Sequence, residues 1–300
     1  MSPPLLGTVL VAYGGHGVVR SDDGRRLDAK FRRAVGRPCC GDRVRLSLGE
    51  DGAAAVEELL PRRNQFLRAD ARGRTQVVAA NLDRVLVVVA PEPLPSQDLL
   101  DRYLVAVHSL GIEPVIVVNK AELPWPADTP DNIRHLADYV QLGYTVVQAS
   151  CKGLPGIADL LPVVRGGTSI LVGQSGVGKS SLVRQLLPDL DIQVGELSRV
   201  TGKGTHTTTT TTIYRLGDQG WLIDSPGVWE YGLWRFEAGE LARGFVEFRP
   251  FLGDCRFRDC RHVTEPGCAL KAAVEQGQLS ARRLATYQRL LGQNEALELP

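Results

Sequence analysis

The stretch TSILVGQSGVGKSSLVRQLL, Thr168 to Leu187, decides how this chain is read. A short run of β-branched and aliphatic residues (TSILV) meets a glycine-rich turn and then an amphipathic segment (SSLVRQLL), which predicts strand, loop and helix in that order. Within it, Gly173–Ser180 (GQSGVGKS) fits the pattern G-x-x-x-x-G-K-[ST] of a phosphate-binding P-loop. Such a loop needs glycines that let backbone N–H groups curl round phosphate, a lysine that reaches the β- and γ-phosphates, a hydroxyl for Mg²⁺, and a helix N-terminus behind them. Gly173, Gly178, Lys179 and Ser180 meet those needs, and Gln174, Ser175, Gly176, Val177 and Ser181 complete the expected nucleotide-binding segment. A P-loop alone separates neither ATP from GTP nor a kinase from a hydrolase.

Segments on either side narrow the choice. Upstream, Asn119-Lys120-Ala121-Glu122 follows the apolar run PVIVV and is similar to the N-K-x-D motif that reads guanine. There a carboxylate accepts hydrogen bonds from the guanine N1–H and amine, which adenine cannot supply. Glu122 is one methylene longer than the usual aspartate. Ser150-Cys151-Lys152, after the run YTVVQ, is similar to the S-A-K segment that backs the guanine ring. Downstream, WLIDSPG ends an apolar run with Asp224, placed to hold Mg²⁺, and Gly227, whose amide faces a γ-phosphate. Between them lies Gly204-Thr205-His206-Thr207-Thr208 and a run of six threonines, Thr207–Thr212, too β-branched and polar for a stable helix; a mobile loop is expected. Thr207 and Thr208 are candidates for capping Mg²⁺, and which threonine of 205–212 does so stays open. No glutamine follows Gly227, so intrinsic hydrolysis is expected to be slow. His206 is then the candidate for positioning the attacking water, against the plainer reading of a solvent-exposed imidazole.

The order of these segments is unusual: guanine motif (119–122), ring-backing motif (150–152), P-loop (173–180), threonine loop, DSPG (224–227). Most GTPases begin with the P-loop, so this chain reads as circularly permuted. Apolar runs at Asp83–Ala90, Pro114–Val118, Tyr144–Gln148, Thr168–Val172 and Gly220–Ile223 alternate with helical patterns such as Ser96–Leu110 and Asp131–Leu142, which predicts a covered, mostly parallel α/β sheet.

The first 72 residues differ. Five short extended runs (Gly7–Tyr13, His16–Arg20, Arg25–Phe31, Arg43–Leu48, Ala53–Leu60) punctuated by turn signals predict a small antiparallel barrel of OB type, either an oligonucleotide-binding face or a purely structural unit. The arginine-rich segment PRRNQFLRADARGR that follows reads as a linker or an RNA-facing loop. Residues 1–75 hold 14 Arg/Lys against 9 Asp/Glu, whereas residues 76–237 hold 12 against 17. A basic amino-terminal module suits an anionic partner such as RNA.

Beyond residue 237 the apolar strand pattern stops. Cys255-x4-Cys260-x-His262-x5-Cys268 offers three thiolates and an imidazole, a closed set that suits one structural Zn²⁺, with free thiols as the alternative. Ala269–Val274 and Ser280–Leu291 predict closing helices. Arg256, Arg258 and Arg261 face RNA or merely solvate a small domain. Cys39, Cys40 and Cys151 stand apart as ordinary reduced thiols, six cysteines in 300 residues being too few for a disulfide scaffold. No apolar run approaches the roughly 20 residues needed to cross a bilayer, so a cytoplasmic protein without membrane partners is expected.

Taken together, these pieces are similar to one family, the circularly permuted, ribosome small-subunit-dependent GTPases (RsgA/YjeQ). PRRNQFLR before ANLDRVLVVVA, NKAEL, GQSGVGKSSL, GTHTT, DSPGVWEYGL and the knuckle ending CAL carry the likeness. Glu122, Cys151 and the lengthened threonine run depart from the family pattern. The resemblance implies an OB-type β-barrel (1–72), a circularly permuted α/β P-loop GTPase domain (73–237) and a zinc-binding helical domain (238–300). It also implies GTP/GDP as ligands with Mg²⁺, and late 30S assembly through 16S rRNA contacts, with hydrolysis stimulated by the small subunit. A monomer is expected. The competing reading is a GTP-dependent metal-handling protein, in which the cysteine cluster binds a transferable ion.

Overall fold

The computed structural model describes residues 5–50, 52–69, 75–191, 211–217, 220–224 and 237–296. Its amino-terminal part is a five-stranded barrel of β1 (Leu5–Ala12), β2 (His16–Ser21), β3 (Arg26–Phe31), β4 (Arg43–Leu48) and β5 (Ala54–Leu59). The strands run β1-β2-β3-β5-β4, and β4 closes on β1. Inward residues at alternate positions, among them Val9, Val19, Ala29, Val44 and Val56, fill a small core. The barrel is not wholly antiparallel as the turn signals suggested: β3 and β5 pair parallel, Ala29 opposite Ala54, because β4 intervenes between them along the chain.

Part of the arginine-rich stretch expected to be a linker or loop is a paired strand instead. β6 (Gln65–Ala69) and β7 (Thr75–Ala80) form a two-stranded antiparallel sheet that straddles the boundary expected at residue 72. Phe66, between exposed Gln65 and half-buried Leu67, is fully buried, which anchors the hairpin on its inner face.

The central sheet contains β8 (Arg84–Val89), β9 (Glu113–Val118), β10 (Thr145–Gln148), β11 (Thr168–Gly173), β12 (Thr212–Leu216) and β13 (Gly220–Asp224), ordered β10-β9-β8-β11-β13-β12. All neighbours are parallel except β12 with β13. β8 shows why its sequence is apolar throughout. Val85, Val87 and Val89 point to one face, with Leu100, Tyr103 and Leu104 of α1 (Leu99–Ser109); Leu86 and Val88 point to the other, with Leu182, Val183 and Leu186 of α5 (Lys179–Leu186). Between these helices in the sequence come α2 (Asp131–Arg134), α3 (Leu136–Gln141) and α4 (Leu160–Val164). The single helix expected over 131–142 is thus broken, at His135, whose φ of −106° and ψ of 41° are not helical. Thr212, assigned from sequence to the loop, is the first residue of β12.

The sheet continues into the barrel. β1 pairs with β12, Val11 opposite Thr212, so that eleven strands form one hydrogen-bonded series.

The carboxy-terminal part has α6 (Ala238–Gly244), a 3₁₀ segment (Val246–Phe251), the cysteine-bearing loops, α7 (Ala269–Glu275) and α8 (Ala281–Ala296). It packs on α1 through Val105 and Ala106, against Leu241, Phe245, Leu270 and Leu290. That contact explains why α1 is buried on nearly every side, from Leu100 to Val107.

Candidate nucleotide site and metal cluster

The P-loop leaves the carboxyl end of β11 and runs into α5, the strand, turn and helix order that its sequence predicts. Lys179 Nζ bridges the loop, donating to the carbonyls of Gly173 at 2.7 Å and Gln174 at 2.8 Å. Gly178 has a φ of 94° and lies against Asn119; a Cβ there would come within 2.4 Å of Asn119 Nδ2. That closeness lets Asn119 Nδ2 donate to Val177 O at 2.7 Å, tying the end of β9 to the P-loop although the two are 58 residues apart in sequence. The other amide atom, Asn119 Oδ1, is buried and has no partner among the described residues, and the same holds for Gln174 Oε1. Buried acceptors without donors are costly, so both fit a site that receives hydrogen-bond donors from a ligand.

The guanine motif is held by its surroundings. Lys120 takes a φ of 56° and donates from Nζ to Glu92 O at 2.6 Å. A hydrogen bond from Ser150, more than the nearby Lys152 and Lys120 charges, holds the Glu122 carboxyl below its usual range, so it is ionised and accepting at neutral pH. Ser150 Oγ in turn accepts from Gly153 N at 2.8 Å and Lys152 N at 3.2 Å, which shapes the 150–152 turn. Gln185 of α5 donates to Cys151 O at 3.1 Å, joining that turn to the P-loop helix. Burial, then Glu122, pushes the Cys151 thiol up, so it is a neutral wall and not a nucleophile.

Asp224 ends β13, beside β11 in the sheet and opposite Thr212 of β12. Burial pushes its carboxyl up. A half-buried carboxylate at the end of a strand next to the P-loop fits Mg²⁺, which would offset that penalty. Ser180 and Ser181 lie in the first turn of α5, and Gln174, Ser175, Gly176 and Val177 form the loop. His206, Thr207, Thr208 and Gly227 lie outside the described residues.

The second constellation is the cysteine cluster. The ligand atoms of Cys255, Cys260, His262 and Cys268 all lie within 4.8 Å of one another. A tetrahedral zinc site with arms of about 2.3 Å has edges of just under 4 Å, so the set fits. His262 Nδ1 is 3.5 Å from Cys255 Sγ and 3.4 Å from Cys268 Sγ, which makes Nδ1 the inward nitrogen. His262 adopts a left-handed φ of 62°. Its pKa is lowered chiefly by burial, which leaves the imidazole neutral and able to ligate. Ala269 N, in the first turn of α7, donates to Cys255 Sγ at 3.3 Å, an outer contact suited to a thiolate. Gln288 Nε2 and Tyr287 OH of α8 bond the carbonyls of His262 and Arg261 at 2.8 and 3.1 Å, so the cluster is braced by the last helix.

One group of residues escaped the sequence reading. Arg283 of α8 pairs with Asp101 of α1 and donates to Glu247 at 2.5 Å, and Tyr139 OH donates to Asp101 at 2.6 Å; Asp101 and Arg283 are buried. Arg289 forks onto Asp98 with two bonds of 2.8 Å. The signal available was the one aspartate, Asp101, among the apolar positions of LLDRYLVAVHS.

Comparison with known proteins agrees with this geometry. A family model described as RsgA GTPase matches residues 59–234. The small ribosomal subunit biogenesis GTPase RsgA of Pseudomonas aeruginosa (strain LESB58) is 42% identical, covering 97% of this chain and 86% of its own. Its counterpart in Chromohalobacter salexigens is 45% identical, over 96% and 86%. Among solved structures, YjeQ from Thermotoga maritima matches with a TM-score of 0.76 at 28% identity, over 97% of this chain and 99% of that one. YloQ, described as a circularly permuted GTPase, matches with a TM-score of 0.77 at 27% identity, over 100% and 97%.

Proposed function

We propose a function from one premise: the chain belongs to the RsgA GTPase family, and is therefore a GTPase. It acts in biogenesis of the small ribosomal subunit, the role printed in the names of its relatives. Those names lend nothing to a metal-handling role. The observation that carries the site assignment is Asn119, whose Nδ2 is spent on the P-loop while its buried Oδ1 awaits a donor. Guanine is then read by Asn119 and the ionised Glu122, with Lys120 and the 150–152 turn against the base. The loop Gly173–Ser181 cradles the phosphates. Lys179 leaves the carbonyls of Gly173 and Gln174 to meet the β- and γ-oxygens, and Ser180 and Asp224 hold Mg²⁺. That ion supplies neutralisation of the phosphate charge. Gly227 faces the γ-phosphate, Thr207 or Thr208 completes the Mg²⁺ shell, and His206 positions the water. Cys255, Cys260, His262 and Cys268 hold one structural Zn²⁺.

In this reading residues 1–72, 73–237 and 238–300 are the barrel, the GTPase unit and the zinc unit. A monomer works in the cytoplasm, and the barrel and zinc unit contact 16S rRNA. Among the described residues no helix is long and apolar enough to cross a membrane. The test is the GTP turnover rate with and without purified 30S subunits. Wild type should be stimulated, Lys179→Ala should turn over no GTP in either condition, and His206→Ala should bind GTP normally yet lose most of the stimulation. Unstimulated wild type would overturn the ribosomal reading, and full turnover by Lys179→Ala would overturn the site.

A further inference from the structure

A cleft of about 600 Å³ lies on the seam between the carboxyl end of α1 and the α6 and 3₁₀ segments, lined by His108, Ser109, Glu240, Arg243, Arg249 and Leu252. Its lining shares no residue with the nucleotide motifs or the cysteine cluster. The walls are fixed by packing. Gly244 approaches α1 so closely that a Cβ would sit 2.5 Å from Val105 Cγ1, and Phe245 and Phe248 stack at 4.8 Å behind it.

The charges in this cleft are unusual for the molecule. Arg282, Arg283 and Arg289, in the same carboxy-terminal region, each pair with a carboxylate. Arg243 and Arg249 pair with none among the described residues, although Arg249 is oriented, its Nε donating to Arg243 O at 3.0 Å. That bond leaves the terminal nitrogens of Arg249 available. His108 adds a hydrogen-bonding wall and no charge: Tyr144 OH lies 3.0 Å from its Nε2, and burial, then Arg249, push its pKa down to about 4. Glu240 is the single carboxylate on the lining, engaged in capping α6. Two exposed guanidinium forks without a carboxylate are suited to the planar, multi-oxygen face of a phosphate. The volume falls in the range that encloses a nucleotide-sized group.

We propose that this cleft is a second anion site, taking the phosphate of a nucleotide-sized group through Arg243 and Arg249. The nucleotide is either free or part of an RNA chain, and the RNA source alone rests on the ribosomal reading above.

The test uses the full chain saturated with GDP, so that the P-loop is already filled. Calorimetric titration with adenosine 5′-monophosphate and, separately, with hexauridylate should detect binding of at least one probe. The double variant Arg243→Gln/Arg249→Gln should weaken it by about tenfold or more with GDP affinity unchanged. Glu240→Gln keeps a capping side chain and removes the opposing charge, so it should tighten binding several-fold, a gain that a damaged fold would not produce. Binding of both probes assigns the free-nucleotide source, and binding of hexauridylate alone assigns RNA. Failure of both probes to bind, or equal binding by wild type and the double variant, would overturn the proposal. Stimulation by 30S subunits, measured on the same proteins, reports separately on the ribosomal reading.

Discussion

Strand β1 reaches the central sheet through its backbone, Val11 opposite Thr212, whereas α8 reaches α1, which covers that sheet, through side chains, Arg283 on Asp101 (and on Glu247 of its own unit) and Arg289 on Asp98. Backbone pairing is indifferent to most side chains. The barrel side is therefore expected to tolerate substitution, with contacts such as Arg20 lying 5.5 Å over the Trp221 ring adding small increments. A buried guanidinium between two carboxylates is the opposite case. Its partners hold it at a desolvation cost, and removal of one member leaves the others charged and unpaired. The lesson is that one seam depends on geometry and the other on composition.

The largest expected effect would break the second seam from within. Zn²⁺ removal by a strong chelator, or Cys260→Ser, should unfold the 255–268 loops and loosen α7 and α8. Structural zinc sites contribute on the order of 10 kcal/mol of apparent folding free energy. A two-step thermal melt by circular dichroism should then appear, with the barrel signal unmoved; a single unchanged transition would contradict the brittle-seam account. Next, Arg283→Ala should cost about 3–5 kcal/mol in urea unfolding. Replacing Asp101, Glu247 and Arg283 together with apolar residues should cost much less, and equal losses in both variants would show that packing and not charge governs this seam.

A third effect comes from His108, at the edge of the same seam. Its pKa falls from 6.5 to about 4 on folding, so between those values the unfolded chain binds more protons. Stability is fully present above pH 6.5 and is lost as the pH falls towards about 4. Urea midpoints at pH 5 and 7 should differ more in wild type than in His108→Gln. The smallest effect belongs to the other seam: Arg20→Ala should cost about 0.5–1 kcal/mol, and a loss near that of Arg283→Ala would erase the contrast.

What was legible in the sequence follows the same division. The P-loop, the N-K-x-E segment and the cysteine cluster are local, because their chemistry requires particular residues at short spacing, and each lies where its pattern placed it. The unbroken apolar run of β8 and the helical pattern that follows it foretold a covered sheet. Pairings between distant segments left no such mark. Arg283 meets Asp101 across 182 residues, and nothing in ARRLATYQRLL distinguishes Arg283 from Arg282 and Arg289. The β6 half of the β6–β7 hairpin was hidden by its arginines, since Phe66 is the one buried residue among the described side chains of that strand. The parallel pairing of β3 with β5 depends on how the barrel closes, which turn residues do not encode. His206 and Gly227 rest on motif order alone.

The pairing of Val11 with Thr212 also sets a timetable for synthesis. β1 to β5 can close on themselves once residue 59 has been made, but the carboxyl half of β1 has its outer partner only when Thr212 appears. At about 5–20 residues per second that interval lasts roughly 8–30 s. Throughout it the nascent barrel presents an open strand edge, and within it the residues proposed to read guanine (119–122) are made before the phosphate loop (173–180). Seating the barrel on the sheet is therefore a long-range strand addition, a slow class of event, and it waits on the same β12 that pairs Thr212 with Asp224 of the candidate nucleotide site.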